Sequence, residues 1–306
     1  MVEQSSELGR IGTTTLQVGR KTAGAVETPL RRTWRRFRRH KLAIAGLVFI
    51  SIIALMGIFA PVVAPLDPLK TSLIDSLVPP NSTYWLGTDP VGRDVWSRTV
   101  YAIRVSLSVG IVAVGISLVI ALLLGTISGY YGGAVDMIVM RLTDIIMTIP
   151  GLVIIMAVVS VLGPSIYNVM AVIGVLGWTG MARLLRAQIL SVRERDFIRA
   201  AQSIGVADWR IMLLHVLPNS VAPVLVAATF GVAAAILTEA ALSFLGFGVL
   251  PPTPSWGNML NAARSLSRLQ ENPWFWLPPG MMILLTVLAI NFIGDGLRDA
   301  LDPRTK

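Results

Sequence analysis

Few side chains in this sequence have the types and spacing that catalysis or metal binding requires. The chain has no cysteine, and its two histidines, His40 and His215, lie far apart. It has neither a glycine-rich phosphate loop ending in Gly-Lys-Ser/Thr nor the His-Glu-x-x-His pattern of zinc proteases. We therefore predict no catalytic residue, no metal site and no cofactor bound by this chain.

Four polar residues lie within strongly apolar stretches: Arg141, Asp144, Glu239 and Asn291. Ionisable side chains in hydrocarbon usually face protein or water. The two acids could line a pathway and contact a peptide amino group or a cation. Alternatively, Arg141 pairs with Asp144 three residues later, Glu239 bonds to a neighbouring helix, and the Asn291 amide joins helices. We favour this structural interpretation for both acids.

A second polar cluster lies in WLGTDPVGRDVWSR, residues 85–98, which contains Asp89, Arg93 and Asp94. These residues could form a solvated turn followed by a helix at the membrane interface.

The stretch RAAQSIGVADWRIMLLHVLP, residues 199–218, combines charges with an apolar stripe at helical spacing. The stripe consists of Trp209, Met212, Leu213 and Val216. Such a segment is too polar to span a bilayer. It suits either a docking surface for a partner or an amphipathic hairpin on lipid.

Local signals predict two short helices in this stretch. Gly205 suits the left-handed cap of the first helix, and Asp208 suits the N-cap of the second. The small side chains of Ala200 and Ala201 let a partner approach one face closely. Pro218 is predicted to end the second helix.

The composition indicates an integral membrane protein. Of the 306 residues, 54% are hydrophobic and 14% are charged, which leaves room for about six spans of roughly 20 residues and no large soluble domain. The net charge of +9 is explained by basic residues that face the cytoplasm, so we predict no nucleic-acid partner.

Apolar runs place six spans at about residues 42–64, 106–128, 134–162, 166–183, 221–246 and 277–293. Pro150 predicts a kink in the third span. Gly125 and Gly129, four residues apart in the second, predict close helix packing.

The distribution of lysine and arginine predicts that both termini are cytoplasmic. Seven basic residues lie between Arg31 and Lys41 and six between Arg183 and Arg210, whereas the predicted outside loops, 67–104 and 247–276, contain four and two. We predict a flexible cytoplasmic tail at 1–30, a basic juxtamembrane segment at 31–41, a permease domain at 42–306 and a cytoplasmic loop at about 186–218. Trp34 and Phe37 in the basic segment also suit a surface helix on anionic lipid.

These residues resemble a known family. RAAQSIGVADWRIMLLHVLP is similar to the "EAA" loop of permease subunits of binding-protein-dependent ABC importers, although Arg199 replaces the family's common Glu and His215 a frequent Ile. The family's recurring positions are Ala200, Ala201, Gly205, Leu217 and Pro218. The blocks RRFRRHKLAIAGL, WLGTDPVGRDVWSR, EAALSFLGFG, PPTPSWGNML and GDGLRDALDPR resemble, in order, the C-type permease of dipeptide, oligopeptide or nickel importers.

The resemblance implies an all-α integral membrane protein with six transmembrane helices, the type I ABC importer permease fold and a cytoplasmic coupling-helix loop. It implies that the loop transmits movement from separate ATPases, through Arg199, Ala200, Ala201, Gly205, Asp208, Trp209 and Pro218. For Asp89, Arg93 and Asp94 the resemblance suggests an outer gate or a docking role. The implied partners are a second, homologous permease subunit as a heterodimer, two ATPase subunits that bind ATP and Mg, an extracytoplasmic substrate-binding protein, and membrane lipid.

The resemblance also implies location in a prokaryotic plasma (inner) membrane and peptides as cargo. Nickel, glutathione-like molecules and oligosaccharides are carried by similar proteins and remain alternatives. A self-sufficient secondary transporter or channel would be expected to show inverted repeats or conspicuous mid-membrane charges, and neither is evident in the sequence.

Overall fold

The computed structural model describes residues 29–302 and gives that part of the chain an all-helical fold. Within this range the only strand-like pairing is an isolated antiparallel bridge between Thr88 and Asp94. The predicted flexible tail lies outside the described residues except for its last two positions, which form the start of the first helix.

The described residues form fifteen α-helices, one 3₁₀ turn and one π turn. The α-helices are α1 (Pro29–Phe37), α2 (Lys41–Ile58), α3 (Ala60–Val63), α4 (Val95–Tyr131), α5 (Gly133–Thr148), α6 (Gly151–Leu162), α7 (Ile166–Leu176), α8 (Trp178–Arg193), α9 (Asp196–Ser203), α10 (Asp208–Ile211), α11 (Leu217–Ser220), α12 (Ala222–Leu245), α13 (Trp256–Asn261), α14 (Leu266–Glu271) and α15 (Pro273–Leu301). The 3₁₀ turn is Leu73–Asp75 and the π turn is Met212–Val216.

Five long apolar helical segments can cross a membrane: α2, α4, the pair α7 and α8, α12, and α15. The pair α5 and α6 makes a sixth span if it is counted as one, and it is bent by 86°. The bend lies at Pro150, where the ring removes a backbone donor and crowds the preceding turn. The predicted kink in the third span is therefore confirmed.

Several helices extend well beyond the predicted spans. Helix α4 has 37 residues, about 55 Å at 1.5 Å per residue, whereas the hydrocarbon core is about 30 Å thick. Helix α8 continues to Arg193, so the start of the predicted cytoplasmic loop is helical. Apolar runs mark the part of a helix that lies in lipid, and polar turns extend the same helix into water.

Close packing of α4 against α8 forms the centre of the bundle. A Cβ atom added at Gly125 would lie 2.8 Å from the Ala182 carbonyl oxygen, and one at Gly129 would lie 2.9 Å from the Cβ of Ile189. The predicted role of these glycines in helix packing is confirmed.

The two ends of the bundle differ in composition. At one end α1 contacts α15, where Arg36 Nη1 donates to the Asp302 carbonyl at 2.9 Å, and the end of α4 meets α10. We call it the arginine-rich end, because it includes the arginines of α1 and of the last turns of α8. At the other end, here the tryptophan-rich end, Trp96 Nε1 donates to the Val63 carbonyl and Trp256 Nε1 to the Thr99 carbonyl.

Candidate functional site

The turn between α9 and α10 has the geometry that its glycine predicts. Gly205 has φ +77°, its N–H donates to the Gln202 carbonyl at 3.0 Å, and the Val206 N–H donates to the Ala201 carbonyl at 3.2 Å. These two bonds form a Schellman cap, which ends α9 and reverses the chain. A Cβ at Gly205 would have no atom within 4 Å, so backbone conformation alone requires glycine here.

Asp208 does not cap α10, contrary to the prediction. It is the first residue of the helix, after the N-cap residue Ala207. Its Oδ1 accepts a hydrogen bond of 2.7 Å from the Tyr130 hydroxyl at the end of α4. The same hydroxyl accepts a longer bond, 3.4 Å, from Gln202 Nε2 of α9. Tyr130 thus connects both short helices to the central helix of the bundle.

The second predicted helix does not end at Pro218, and this prediction was also wrong. Helical backbone continues from α10 through the π turn and α11, and Val221, which joins α11 to α12, is also helical. A wider π turn tolerates the proline, because the chain is already out of the regular i to i−4 hydrogen-bond register.

The loop helices, defined as α9, α10, the π turn and α11, have one anchored face and one exposed face. Ile198, Ile211 and Val216 are fully buried in the main core. Ile211 and Val216 are five residues apart, which is the spacing of one turn of π-helix. The predicted apolar stripe of Trp209, Met212, Leu213 and Val216 therefore does not lie on one buried face. Val216 is its only fully buried member. The exposed large apolar side chains are Phe197, Ile204, Trp209, Leu213 and Leu214.

The predicted coupling residues Arg199, Ala200, Gly205, Trp209 and Pro218 are exposed, and Ala201 is half-buried. Arg199 Nη2 donates to Glu194 Oε2 at 2.8 Å. This bond lowers the pKa of the Glu194 carboxyl below its usual value. The pair is in solvent and adds little to stability.

Sequence reasoning missed a second connection at the arginine-rich end. Asp136 of α5 accepts two hydrogen bonds from the Arg186 guanidinium of α8 and one from the Ser128 hydroxyl of α4. Arg193 Nη1 donates to the Gly129 and Tyr130 carbonyls at 3.2 and 3.3 Å. An acidic side chain near the end of a span requires a partner. The sequence signal for this connection was Asp136 at the start of the third span, together with the run of arginines that follows the fourth.

Asp144 is paired with a different arginine from the one predicted. Its Oδ1 lies 2.7 Å from Arg183 Nη2 on α8, and both side chains are about half exposed. Arg141 is exposed. The pair therefore joins α5 to α8, and the predicted pairing within one helix was wrong.

Glu239 is fully buried, and Ser243 of its own helix is its hydrogen-bond donor. Oε1 accepts a 2.7 Å hydrogen bond from the Ser243 hydroxyl, which itself accepts from the Val249 N–H. The Ser255 side chain is close enough to interact, but no hydrogen bond reaches Oε2 within the described residues. Asn291 is half-buried in α15.

Asp89, Arg93 and Asp94 form part of a buried cluster at the tryptophan-rich end. Asp89 Oδ2 accepts from Arg93 Nε at 2.7 Å and lies 3.7 Å from Arg98 Nε. Arg98 is 2% exposed and donates to the Pro68 and Pro252 carbonyls. Asp94 caps α4 by accepting from the Ser97 N–H. These side chains thus fasten three segments together and do not form a solvated turn.

The break between α5 and α6 lies level with the middles of the long apolar helices. Gly151 shares a cavity of about 240 Å³ with Ser117, Gly177 and Ala234. These three residues lie near the middle of α4, of the α7 and α8 pair, and of α12. Ile149, at the break, is 50% exposed. Irregular backbone at this depth must be covered by protein or line water.

Comparisons with known proteins agree with this architecture. A family model described as "Binding-protein-dependent transport system inner membrane component" matches residues 121–306. Another, described as the N-terminal TM domain of oligopeptide transport permease C, matches residues 28–80.

Similar full-length relatives carry names of peptide permeases. The dipeptide transport system permease protein DppC of Alkalihalophilus pseudofirmus is 43% identical over 279 residues, 91% of each chain. DppC of Haemophilus influenzae is 43% identical over 92% of this chain and 97% of its own. The oligopeptide transport system permease protein OppC of Bacillus subtilis is 39% identical over 89% and 88%.

Proposed function

Since the chain belongs to the family of binding-protein-dependent transport system inner membrane components, we propose that it is a translocation-pathway subunit of an ATP-driven peptide importer. The observation that carries the proposal is the identity of about 40% to dipeptide and oligopeptide permeases over nine tenths of the chain. Nickel, glutathione-like molecules and oligosaccharides are alternative cargoes, and the names of these relatives favour peptides.

The loop helices are the proposed contact surface for separate ATPase subunits, which bind ATP and Mg. Their outer face exposes Ile204 at 80% and Trp209 at 57%, and large apolar side chains that are exposed outside the apolar spans suit a protein interface. Their inner face is tied to α4 through Tyr130 and Asp208. Movement of a docked ATPase would therefore reach the central transmembrane helix directly.

A second, homologous permease is proposed to cover the exposed break between α5 and α6. One chain leaves irregular backbone open at mid-membrane depth, which is tolerated only against protein or water. A heterodimer would satisfy this requirement by enclosing an aqueous pathway along the same face.

In the proposed cycle, ATP brings the two ATPases together and moves the loop helices, and the bundle turns from inward-facing to outward-facing. The arginine-rich end is then cytoplasmic, with both termini, as the excess of arginine favours. An extracytoplasmic binding protein would deliver peptide at the tryptophan-rich end. Hydrolysis resets the cycle.

Gentle purification of the tagged chain from its own membranes tests the assembly. We expect two ATPase chains with phosphate-binding loops and a second six-span permease, identified by mass spectrometry. If the chain emerges alone in several mild detergents, the proposal fails and a self-sufficient secondary transporter or channel is favoured.

Replacement of Gly205 with valine tests the role of the loop helices. A β-branched residue is strained at φ +77°, so we expect membrane insertion to persist and substrate-stimulated ATP turnover to fall at least tenfold. Gly115→Val is the control, because a Cβ at Gly115 also meets no atom within 4 Å but the residue lies within α4 with ordinary helical φ. Retained stimulation in Gly205→Val would contradict the assignment.

A further inference from the structure

The cavity of about 240 Å³ beside the bend between α5 and α6, here called the bend cavity, has walls from four parts of the bundle. These are α4, α6, the α7 and α8 pair, and α12. Half of its lining residues are buried: Val114, Ser117, Ile155, Ile173, Met181 and Ala235. It is therefore a recess in the helix packing and not a groove between exposed side chains.

Close contacts fix the walls of the bend cavity. The Ser117 hydroxyl of α4 donates to the Gly174 carbonyl of α7 at 2.7 Å, and a Cβ atom added at Gly174 would lie 2.8 Å from the Ile116 Cβ. A Cβ at Gly110 of α4 would lie 2.8 Å from Cγ1 of Ile236 on α12. Helices packed this closely cannot shift to fill a neighbouring space, so the cavity is preformed.

The open side of the bend cavity is bordered by small residues. Gly151, Gly177 and Ala234 line it and are exposed, and a Cβ at Gly151 would have no atom within 4 Å. Gly151 begins α6 directly after the bend, next to Pro150 and the half-exposed Ile149. The cavity thus opens on the face along which the proposed second permease would enclose an aqueous pathway.

The lining of the bend cavity suits apolar groups. No charged residue belongs to it among the described residues, and its two hydroxyl groups already donate to backbone oxygens. The Ser117 hydroxyl donates to a carbonyl of α7, and the Thr238 hydroxyl donates to the Ala234 carbonyl at 2.8 Å. The buried Met181 is flexible and polarizable, which is typical of surfaces that bind side chains of varied shape.

The volume of the bend cavity suits one side chain. A cavity of about 150 Å³ with apolar walls holds benzene, whereas drug-sized ligands occupy pockets of roughly 300–1,000 Å³. A space of about 240 Å³ therefore accommodates a phenylalanine or leucine side chain but not an entire peptide. An empty apolar cavity lowers stability in proportion to its volume, and a passing apolar side chain would fill it.

We propose that the bend cavity is a binding subsite for one large apolar side chain of the transported peptide. This inference rests on the proposed function, because only a chain that lines a peptide pathway would meet this ligand. Entry of an apolar side chain into the cavity removes it from water, which favours binding, whereas a methyl side chain leaves most of the space unfilled. The permease itself then adds to the selectivity for cargo.

Uptake of two tripeptides into proteoliposomes tests this subsite. The vesicles contain the complete importer with ATP inside, one binding protein is supplied outside, and trialanine and Ala-Phe-Ala are supplied separately below saturation. Gly151→Leu places an isobutyl group in the cavity without a backbone clash, so we expect Ala-Phe-Ala uptake to fall at least tenfold, the discrimination that about one methylene group supplies in an apolar pocket. Trialanine uptake should stay within about twofold, because a methyl side chain gains little from the cavity.

Gly115→Leu is the matched control. A Cβ at Gly115 also meets no atom within 4 Å, and this exposed residue of α4 lies two positions before Ser117 but does not line the cavity. Uptake of both peptides should be unchanged in this variant. Ala234→Leu fills the same cavity from α12 and should reproduce the selective loss if Gly151→Leu fails to assemble.

An equal loss of both peptides in Gly151→Leu would overturn the inference, since the cavity would then serve closure of the bundle or contact with the second permease. Unchanged uptake of both peptides, or a selective loss in Gly115→Leu, would overturn it as well. These outcomes leave the proposed function standing. If the wild-type importer hydrolyses ATP but takes up neither tripeptide, the proposed peptide cargo is wrong and the inference fails with it.

Discussion

The two ends of this bundle use their polar and aromatic residues in opposite ways. At the tryptophan-rich end, Trp256 and Arg98 are buried, and Ser255 and Asn258 complete a capping box at the start of α13. At the arginine-rich end, two short helices expose large apolar side chains, including Ile204 and Trp209. Both ends expose large apolar side chains, since Leu73 and Ile74 at the tryptophan-rich end are 80% and 96% exposed. The charged cluster of that end is buried, however, whereas the Arg199–Glu194 pair beside the loop helices lies in solvent.

This difference predicts which end opens at the lower free energy. Segments with few buried contacts open and shift at low free energy, whereas densely bonded ones do not. The loop helices are held by three fully buried aliphatic residues and by hydrogen bonds to Tyr130. The buried cluster around Arg98 instead joins residues from segments more than 150 positions apart.

The largest expected contrast comes from the same substitution at each end. Trp256→Ala should lower the free energy of unfolding by about 3–5 kcal/mol, because it empties a fully buried site. Trp209→Ala should change it by less than about 0.5 kcal/mol, but should reduce co-purification of ATPase subunits. Denaturant titration in detergent measures the first effect and quantitative mass spectrometry the second. Comparable destabilisation by both variants would remove the distinction between the ends.

Two glycines with positive φ sharpen the comparison. A Cβ at Gly92 would lie 1.8 Å from the Ser72 carbonyl oxygen, whereas one at Gly205 meets nothing within 4 Å. Gly92→Ala combines a backbone clash with an unfavourable φ, and should cost about 2–4 kcal/mol. Gly205→Ala should cost about 1 kcal/mol, from φ alone. Thermal unfolding of both variants checks the order, and the reverse order would show that the tryptophan-rich loop is the looser one.

The smallest expected effect is at the connection between the loop helices and α4. Tyr130→Phe removes the hydroxyl that bonds to Asp208, a loss of about 1 kcal/mol. This corresponds to roughly a fivefold reduction in peptide transported per ATP hydrolysed in vesicles, if the bond couples the loop to α4.

Tyr131→Phe is the control for that experiment, because Tyr131 is adjacent and 52% exposed. It should leave the transport ratio unchanged. An equal decrease in both variants, or none in Tyr130→Phe, would show that movement reaches the bundle by another route.

Features set by neighbouring residues could be predicted from the sequence. The bend at Pro150 and the left-handed turn at Gly205 each follow from one residue and its immediate backbone. The spacing of Gly125 and Gly129 predicted close helix packing, but the sequence did not identify α8 as the partner. Asp208 shows the limit, because its residue type favours a cap but Tyr130, 78 positions away, takes its carboxylate.

The sequence by itself determined that the chain is a helical membrane protein with six apolar segments, because lipid requires long apolar runs wherever it contacts a span. Only the tertiary structure decided the partners of the polar residues. Asp144 pairs with Arg183 of α8, and Asp136 with Arg186 of the same helix. Any arginine near the membrane could satisfy either acid, and the packing of α5 beside α8 brought these two within reach.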